Sequence, residues 1–291
     1  MKKNKLILGT VQFGIDYGIN NLKGKPTSRD VEDILNYAFN NRITILDTAE
    51  AYGDSQERIG EYHRKANHKF KIITKFSSLR EDLPNNIIDR VKHNLNTLNV
   101  ESLYCYMFHN FNDFELFFQR FKDELLILKK EGLIKKIGVS LHSNEEIDSV
   151  LNFKDVDIIQ LPFNLLDNSN QREKTLLKAK RLGVEIHTRS VFLQGLFFKE
   201  PNELTGNLIE LKEPLKIIGD LAPKELMNDL ALNYVYSKPY IKGVLLGVDS
   251  VIQLKSNIKC IEENNVQNLI SKVDQINVKE KIMLNPSNWI R

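Results

Sequence analysis

Four residues carry side chains that could act together on a carbonyl group: Asp47, Tyr52, Lys75 and His109. Asp47 ends one short apolar run and opens the loop Asp47-Thr48-Ala49-Glu50-Ala51-Tyr52-Gly53. Lys75 ends a second run, after Lys71-Ile72-Ile73-Thr74, and His109 ends a third, after Tyr104-Cys105-Tyr106-Met107-Phe108. Carbonyl reduction needs a proton donor at oxygen while hydride arrives at carbon. A free phenol, with a pKa of about 10, does this poorly at neutral pH. A nearby ammonium stabilises the phenolate, and a carboxylate paired with that ammonium keeps it charged and in place. A histidine beside the phenol can orient the substrate oxygen and share its developing charge. Each residue also has a plainer reading. Asp47 could cap its own loop, Lys75 could be a surface lysine, His109 a rim histidine and Tyr52 a turn aromatic. All four plain readings would have to hold at once.

The elements that must position these residues alternate along the whole chain. Short apolar runs at 5–8, 44–47, 71–74, 103–108, 136–140, 157–161, 184–188 and 244–247 read as strands. Amphipathic stretches lie between them, at 29–41, 87–98, 115–131, 145–151 and 224–236. Ser143-Asn144-Glu145-Glu146 has the form of a capping box, and Pro223 suits a first helical turn. Eight strand–helix units mean parallel strands with crossover helices, in an open sheet or a closed barrel. An open dinucleotide-binding sheet carries G-x-G-x-x-G after its first strand. Here Gly9-Thr10-Val11-Gln12-Phe13-Gly14 lacks that spacing, so the expected fold is one α/β domain, a (β/α)8 TIM barrel spanning 1–291. The barrel gathers strand C-termini into one mouth. Residues 197–222 read as a long irregular substrate loop, and 266–291 as a tail packed across the barrel.

At these residues the sequence resembles the aldo/keto reductase family. Leu8-Gly9-Thr10-Val11-Gln12-Phe13-Gly14 meets the family's L-G-T-x-x-F-G. Asp47 through Tyr52, Gly53 and Ser55 meet D-T-A-x-x-Y-G-x-S, with Gln56 where a Glu often stands. The resemblance implies a tetrad of Asp47, Tyr52, Lys75 and His109 with Tyr52 as general acid, and a nicotinamide cofactor. It carries over Gly9, Thr10, Ser140, Gln160, Arg189, Ser190, Leu193, Gly195, Gly247, Asp249, Ser250, Gln253 and Asn257 as cofactor residues. Ser140 and Gln160 would face the carboxamide, with Asn164 four residues on. Ser190, Leu193 and Gly195 would form the pyrophosphate loop, and Asn257 would meet adenine. Three positions depart from the family's pattern. Leu141 stands for an Asn, and Arg189 for a tyrosine that stacks on nicotinamide. Asp249 stands for a Lys or Arg that pairs with the 2′-phosphate. The family's habit puts NADP(H) first, while Asp249 keeps NAD(H) close behind and Lys255 is a candidate to compensate. The form of residues 9–18 resembles a bacterial subgroup tied to sugar and surface-glycan pathways, which implies a sugar-derived carbonyl or alcohol. Residues 113–115, 192–222 and 286–291 are the segments expected to set specificity. Phe13, Tyr17, Phe111, Phe192, Phe197 and Trp289 are candidate wall aromatics.

Other classes find little support. Hydrophobic residues make up 42% and charged residues 27% of the 291, and the +3 charge comes from 41 basic and 38 acidic side chains spread along the chain. That asks for no nucleic-acid partner, and the cluster from Lys65 to Lys71 reads as a solvated loop entering a strand. No run approaches the roughly 18 apolar residues of a membrane span. With two distant cysteines, Cys105 and Cys260, and no secretory leader, a reduced cytoplasmic protein is expected. No cluster has zinc-ligand spacing, and G-x-S-x-G and P-loop motifs are absent. His63, His68 and His93 read as surface residues, His187 as a barrel-wall histidine, and His142 as a candidate contact of cofactor or substrate. Two competing functions remain: a barrel lyase using Lys75 as a Schiff base, and a non-catalytic nicotinamide-binding sensor or assembly subunit.

Overall fold

The computed structural model describes residues 4–17 and 24–290; Gly18, part of the subgroup resemblance, lies outside them. Eight strands run in chain order: β1 Leu6–Gly9, β2 Ile45–Asp47, β3 Lys71–Phe76, β4 Cys105–Phe108, β5 Ile137–Ser140, β6 Ile158–Pro162, β7 Glu185–Arg189 and β8 Gly243–Gly247. Every neighbour pair is parallel, and β1 pairs with β8, so the sheet closes into the expected (β/α)8 barrel. Among the described residues eleven α-helices accompany them: α1 Val11–Gly14, α2 Ser28–Asn40, α3 Ser55–Lys65, α4 Ile87–Leu98, α5 Phe111–Lys130, α6 Asn144–Val150, α7 Ser169–Arg181, α8 Lys212–Leu221, α9 Met227–Ser237, α10 Val251–Glu263 and α11 Ile270–Val273.

Strand parity decides what reaches the mouth. Side chains alternate between faces with a period of two. Ile7, Ile73, Cys105, Met107, Ile158 and Leu245 form a cluster separate from the outer core, with Ile45 packed against it. Two residues further along each of these strands stand Gly9, Lys75, His109, Gln160, Gly247 and Asp47. Ser140, paired in register with Gln160, belongs to the same layer. The intervening residues, among them Leu8, Leu46, Ile72, Phe76, Tyr106, Phe108, Ile159 and Leu246, pack outward with the helices. One face of each strand therefore carries an apolar plug below and polar groups above it.

Several boundaries differ from the sequence reading. Lys75 lies inside β3, one residue short of its end. Leu103 makes only an isolated bridge to Ile134, so β4 starts at Cys105. Pro223 sits at the N-cap of a short 3₁₀ turn that leads into α9 rather than inside the helix. The 197–222 segment contains 3₁₀ turns and the amphipathic helix α8, whose Leu215 and Ile218 are buried. Residues 113–115 lie in the first turn of α5, where Asn110 caps the helix and buried Asp113 accepts from Ser78 Oγ at 2.6 Å. The Ser143 capping box forms as read, with Glu146 N donating to Ser143 Oγ at 3.1 Å. The tail is tied to the body: Asn168 donates to the carbonyls of Val273 (3.0 Å) and Ile276 (2.9 Å). Among the described residues no helix is long and apolar enough to cross a membrane.

Candidate active site

Two loops meet backbone to backbone to place Tyr52. Thr10 N donates to Asp47 O at 3.0 Å, and the Thr10 hydroxyl donates to the same carbonyl at 3.0 Å. Ser55 Oγ then donates to Thr10 at 2.9–3.0 Å. Gly14 and Gly53 touch where these loops cross. A Cβ on Gly14 would lie 1.7 Å from Tyr52 O, and one on Gly53, at φ +53°, would lie 2.3 Å from Gly14 O. Only glycine satisfies both demands, so the two sequence motifs are two halves of one clamp.

Within that clamp the four residues singled out by type converge. Lys75 Nζ donates to Asp47 Oδ1 and, at 3.1 Å, to Thr48 O; Lys75 and Asp47 are both buried. The second Asp47 oxygen accepts from Gln160 Nε2 at 2.8 Å. The Lys75 ammonium lies 5.1 Å from the centre of the Tyr52 ring. Tyr52 and His109 meet edge to face with centroids 5.6 Å apart.

Burial raises the Tyr52 pKa above its ordinary value, with Lys75 opposing it as the chief lowering influence. The phenol therefore holds its proton at neutral pH. Burial works against the Lys75 ammonium, but Asp47 and Tyr52 outweigh it and the pKa ends raised. Burial, Lys75 and Arg189 push His109 down to about 3, so its imidazole is neutral. The arrangement is a protonated phenol between a fixed cation and a neutral imidazole, suited to donating a proton to a developing alkoxide.

A cavity of about 650 Å³ opens over these four residues and runs toward β8 and α10. Of the expected cofactor residues, Gly9, Thr10, Ser140, Gln160, Arg189, Ser190, Gly195, Gly247, Asp249, Gln253 and Asn257 line it. Leu193 and Ser250 do not. Leu193 is fully buried in the core, and Ser250 accepts from Gln253 N as the N-cap of α10. Thr10 lines the cavity, but its hydroxyl is committed to the loop clamp. Asn164 is a buried brace, donating to Ser190 O at 3.2 Å. Leu141 faces the core.

Three features suit the cavity to a dinucleotide. The backbone at Ser190, Leu193, Gln194 and Gly195 is left-handed (φ +60°, +45°, +55° and +91°), a conformation that costs about 1–3 kcal/mol at a non-glycine residue. Leu193 N and Gly195 N donate to Ser190 O (2.9 Å) and Phe192 O (2.8 Å), which closes the turn tightly and sets Ser190, Gln194 and Gly195 at the cavity wall. Gln12 lines the cavity with a buried Oε1 that has no partner among the described residues. Gly247 makes room for it, since a Cβ there would lie 2.6 Å from the Gln12 amide.

Sequence reasoning missed Gln12, Asn228 and Asn285, which line the cavity; Phe198, Pro286 and Ser287, which line it too, fall in the segments 192–222 and 286–291 expected to set specificity. Of the candidate wall aromatics, Tyr17 and Phe192 line it, whereas Phe13, Phe197 and Trp289 are buried in the core and Phe111 stacks on Phe114. His142 lines the cavity; His187 is buried in the barrel wall. His63 is not a surface residue: it is buried, with Nδ1 2.8 Å from Leu98 O and Nε2 accepting from Phe70 N at 3.1 Å. Its spacing from Ile59 on α3 placed it on the buried face. His68 stacks on Phe39, and His93 is exposed.

The aldo/keto reductase family model matches residues 5–278. The chain belongs to the aldo/keto reductase family. It is 23% identical over 308 aligned residues to the uncharacterised oxidoreductase YqkF of Bacillus subtilis, covering 97% of this chain and 98% of that one. It is 27% identical to D-arabinose 1-dehydrogenase of Saccharomyces cerevisiae, covering 87% and 83%. The holo form of aldo-keto reductase AKR11C1 from Bacillus halodurans superposes with a TM-score of 0.74 at 21% identity, over 95% of this chain and 94% of that one. This aldo/keto reductase is an NAD(P)-dependent oxidoreductase acting on a carbonyl or alcohol.

Proposed function

We propose that the protein reduces a small, sugar-derived aldehyde or ketone, with Tyr52 as general acid. The observation that carries this reading is the protonated Tyr52 phenol held between Lys75 and His109 at the floor of the cavity. The carbonyl oxygen would sit between Tyr52 and His109. Asp47 and Gln160 hold Lys75 in place, and the ammonium lowers the cost of the phenolate left behind. The bound nicotinamide supplies the hydride. Ser140, Gln160 and Gln12 would hold its polar groups, and the left-handed loop at Ser190–Gly195 would seat the pyrophosphate. The name of the yeast relative supports a sugar-derived substrate.

The resemblance puts the adenosine end beside Asp249, Gln253, Ser256 and Asn257. There the lining offers a carboxylate and amides; the lysine and arginine that line the cavity, Lys75 and Arg189, belong to the ends of other strands, β3 and β7. Lys255, the candidate to compensate, is exposed on α10 and outside the lining. A 2′-phosphate would meet Asp249 directly, whereas a bare 2′-hydroxyl could donate to it. The geometry therefore favours NAD(H) over the NADP(H) that the family's habit puts first. Cys105 and Cys260 are both buried free thiols, in keeping with a cytoplasmic setting.

A Schiff-base lyase fits less well. Such chemistry needs a neutral amine, and Lys75 is held as an ammonium by Asp47 and the Thr48 carbonyl. Titrating NADH and NADPH by nicotinamide fluorescence, beside a carbonyl panel, tests the reading. Micromolar NADH binding with turnover supports it. Tight binding without turnover on any carbonyl would indicate the sensor or assembly-subunit reading, and no binding of either nucleotide would refute both.

A further inference from the structure

Arg189 carries a charge for which the described residues supply no paired carboxylate. Two buried arginines elsewhere in the fold are paired: Arg90 with Glu50 at 2.7 Å, and Arg172 with Asp167 at 2.6 Å. Arg189 stands at the end of β7 and lines the cavity, half-buried. Its guanidinium makes contacts of 3.5 Å with Ser190 Oγ and with Leu141 O, and one of 3.0 Å with Nε2 of His142. No carboxylate among the described residues pairs with it. Asp167, whose charge reaches it, is held by two bonds from Arg172. Arg189 Nη2 lies 3.0 Å from Nε2 and 3.4 Å from Nδ1 of His142, so the guanidinium rests against the imidazole ring; burial and the two arginines push His142 down to about 4, leaving that ring neutral.

A cation withdrawn from water without an anion is costly, and that cost is recovered when an anion docks. The place where Arg189 waits is chemically specific. Its charge acts on both Tyr52 and His109, the pair between which a carbonyl oxygen would sit. We infer that Arg189, propped by His142, recognises an anionic group on the substrate, a carboxylate or phosphate ester a few bonds from the reacting carbonyl. This rests on the proposed reductase reading and narrows its substrate class from neutral sugars to sugar acids, oxo acids or sugar phosphates. The other source of anionic oxygens is the cofactor's pyrophosphate. The left-handed loop at 190–195 is the seat proposed above for that group, which leaves Arg189 to the substrate.

The test compares a ladder of ω-oxo carboxylates with their amides, and glyceraldehyde 3-phosphate with glyceraldehyde, in wild type, Arg189→Met and Arg189→Lys. The expected result is a preference of about 10–100-fold in kcat/KM for at least one anion over its neutral partner, the worth of a charge-assisted hydrogen bond. Arg189→Met should erase that ratio through KM, and Arg189→Lys should retain part of it. Equal use of anionic and neutral partners by wild type would overturn the inference. So would an Arg189→Met enzyme that binds NADH more weakly and loses both partners equally, since the guanidinium would then serve the cofactor. A titration of butyrate against butyramide, followed by protein fluorescence with and without NAD⁺, needs no turnover. Butyrate binding lost in Arg189→Met supports the anion site even if the reductase reading fails, and equal binding of acid and amide counts against it.

Discussion

Two buried carboxylate–cation pairs begin three residues apart, and they have opposite characters. Asp47 and Lys75 face the barrel mouth. Glu50 and Arg90 face outward, under α4. Glu50 is saturated: its carboxylate accepts from Arg90 (2.7 and 3.0 Å), Asn94 (2.7 Å), the Tyr106 hydroxyl (2.7 Å) and Ser77 N (3.0 Å). Arg90 also donates to Ser77 O at 2.6 Å and lies 4.5 Å from the centre of the Phe76 ring. No part of that network lines the cavity. The Asp47–Lys75 pair sits below a cavity, and the charge of Lys75 acts on Tyr52. A pair closed on all sides can only hold structure. A pair left open on one side can act on a third group.

The largest expected effect breaks the open pair. Lys75→Met removes the charge that opposes burial at Tyr52, and turnover should fall by about 10²–10⁴-fold, the usual worth of a general acid in its tuned state. Next comes the closed pair. Arg90→Met leaves Glu50 buried and unpaired, at a cost of about 3–5 kcal/mol. In a chain of this size that should lower Tm by about 10 °C, while kcat measured well below the transition should stay within about threefold of wild type. If Arg90→Met instead lost turnover at full stability, the division between the pairs would be wrong. The smallest effect is a flat pH profile. His109 titrates at about 3 and Tyr52 above its ordinary value, so neither changes state near neutrality. Reduction needs the protonated phenol, so the rate should hold between about pH 5 and 9 and fall only as pH rises through the Tyr52 pKa, beyond about 10. A limb near pH 6.5 would show that His109 is charged in the working enzyme.

Much of the site is legible in the sequence because strand parity is simple. An inward Ile73 dictates an inward Lys75, Ile45 dictates Asp47, Met107 dictates His109 and Ile158 dictates Gln160. What stays hidden depends on pairings between distant segments. Glu50 lies in the same motif as Tyr52, but its partners Arg90 and Asn94 are some forty residues on, and their signal is slight: two polar residues four apart on a helix face otherwise made of Ile87, Val91, Leu95 and Leu98. His63 was misread because its polarity outweighed its helical spacing. Gln12 could not be assigned, since its role depends on the space that Gly247 leaves on the neighbouring strand. That the tail packs across the barrel is legible in the sequence, but that Asn285 joins Pro286 and Ser287 at the cavity depends on the path it takes.

The most direct test is the single-turnover rate of hydride transfer from saturating NADH in Tyr52→Phe, measured beside NADH affinity and Tm. The account expects a rate lower by about 10²–10⁴-fold, with affinity and Tm near those of wild type. An unchanged rate would mean that the proton comes from elsewhere, and that the open pair at Asp47 and Lys75 serves structure, as the closed one does.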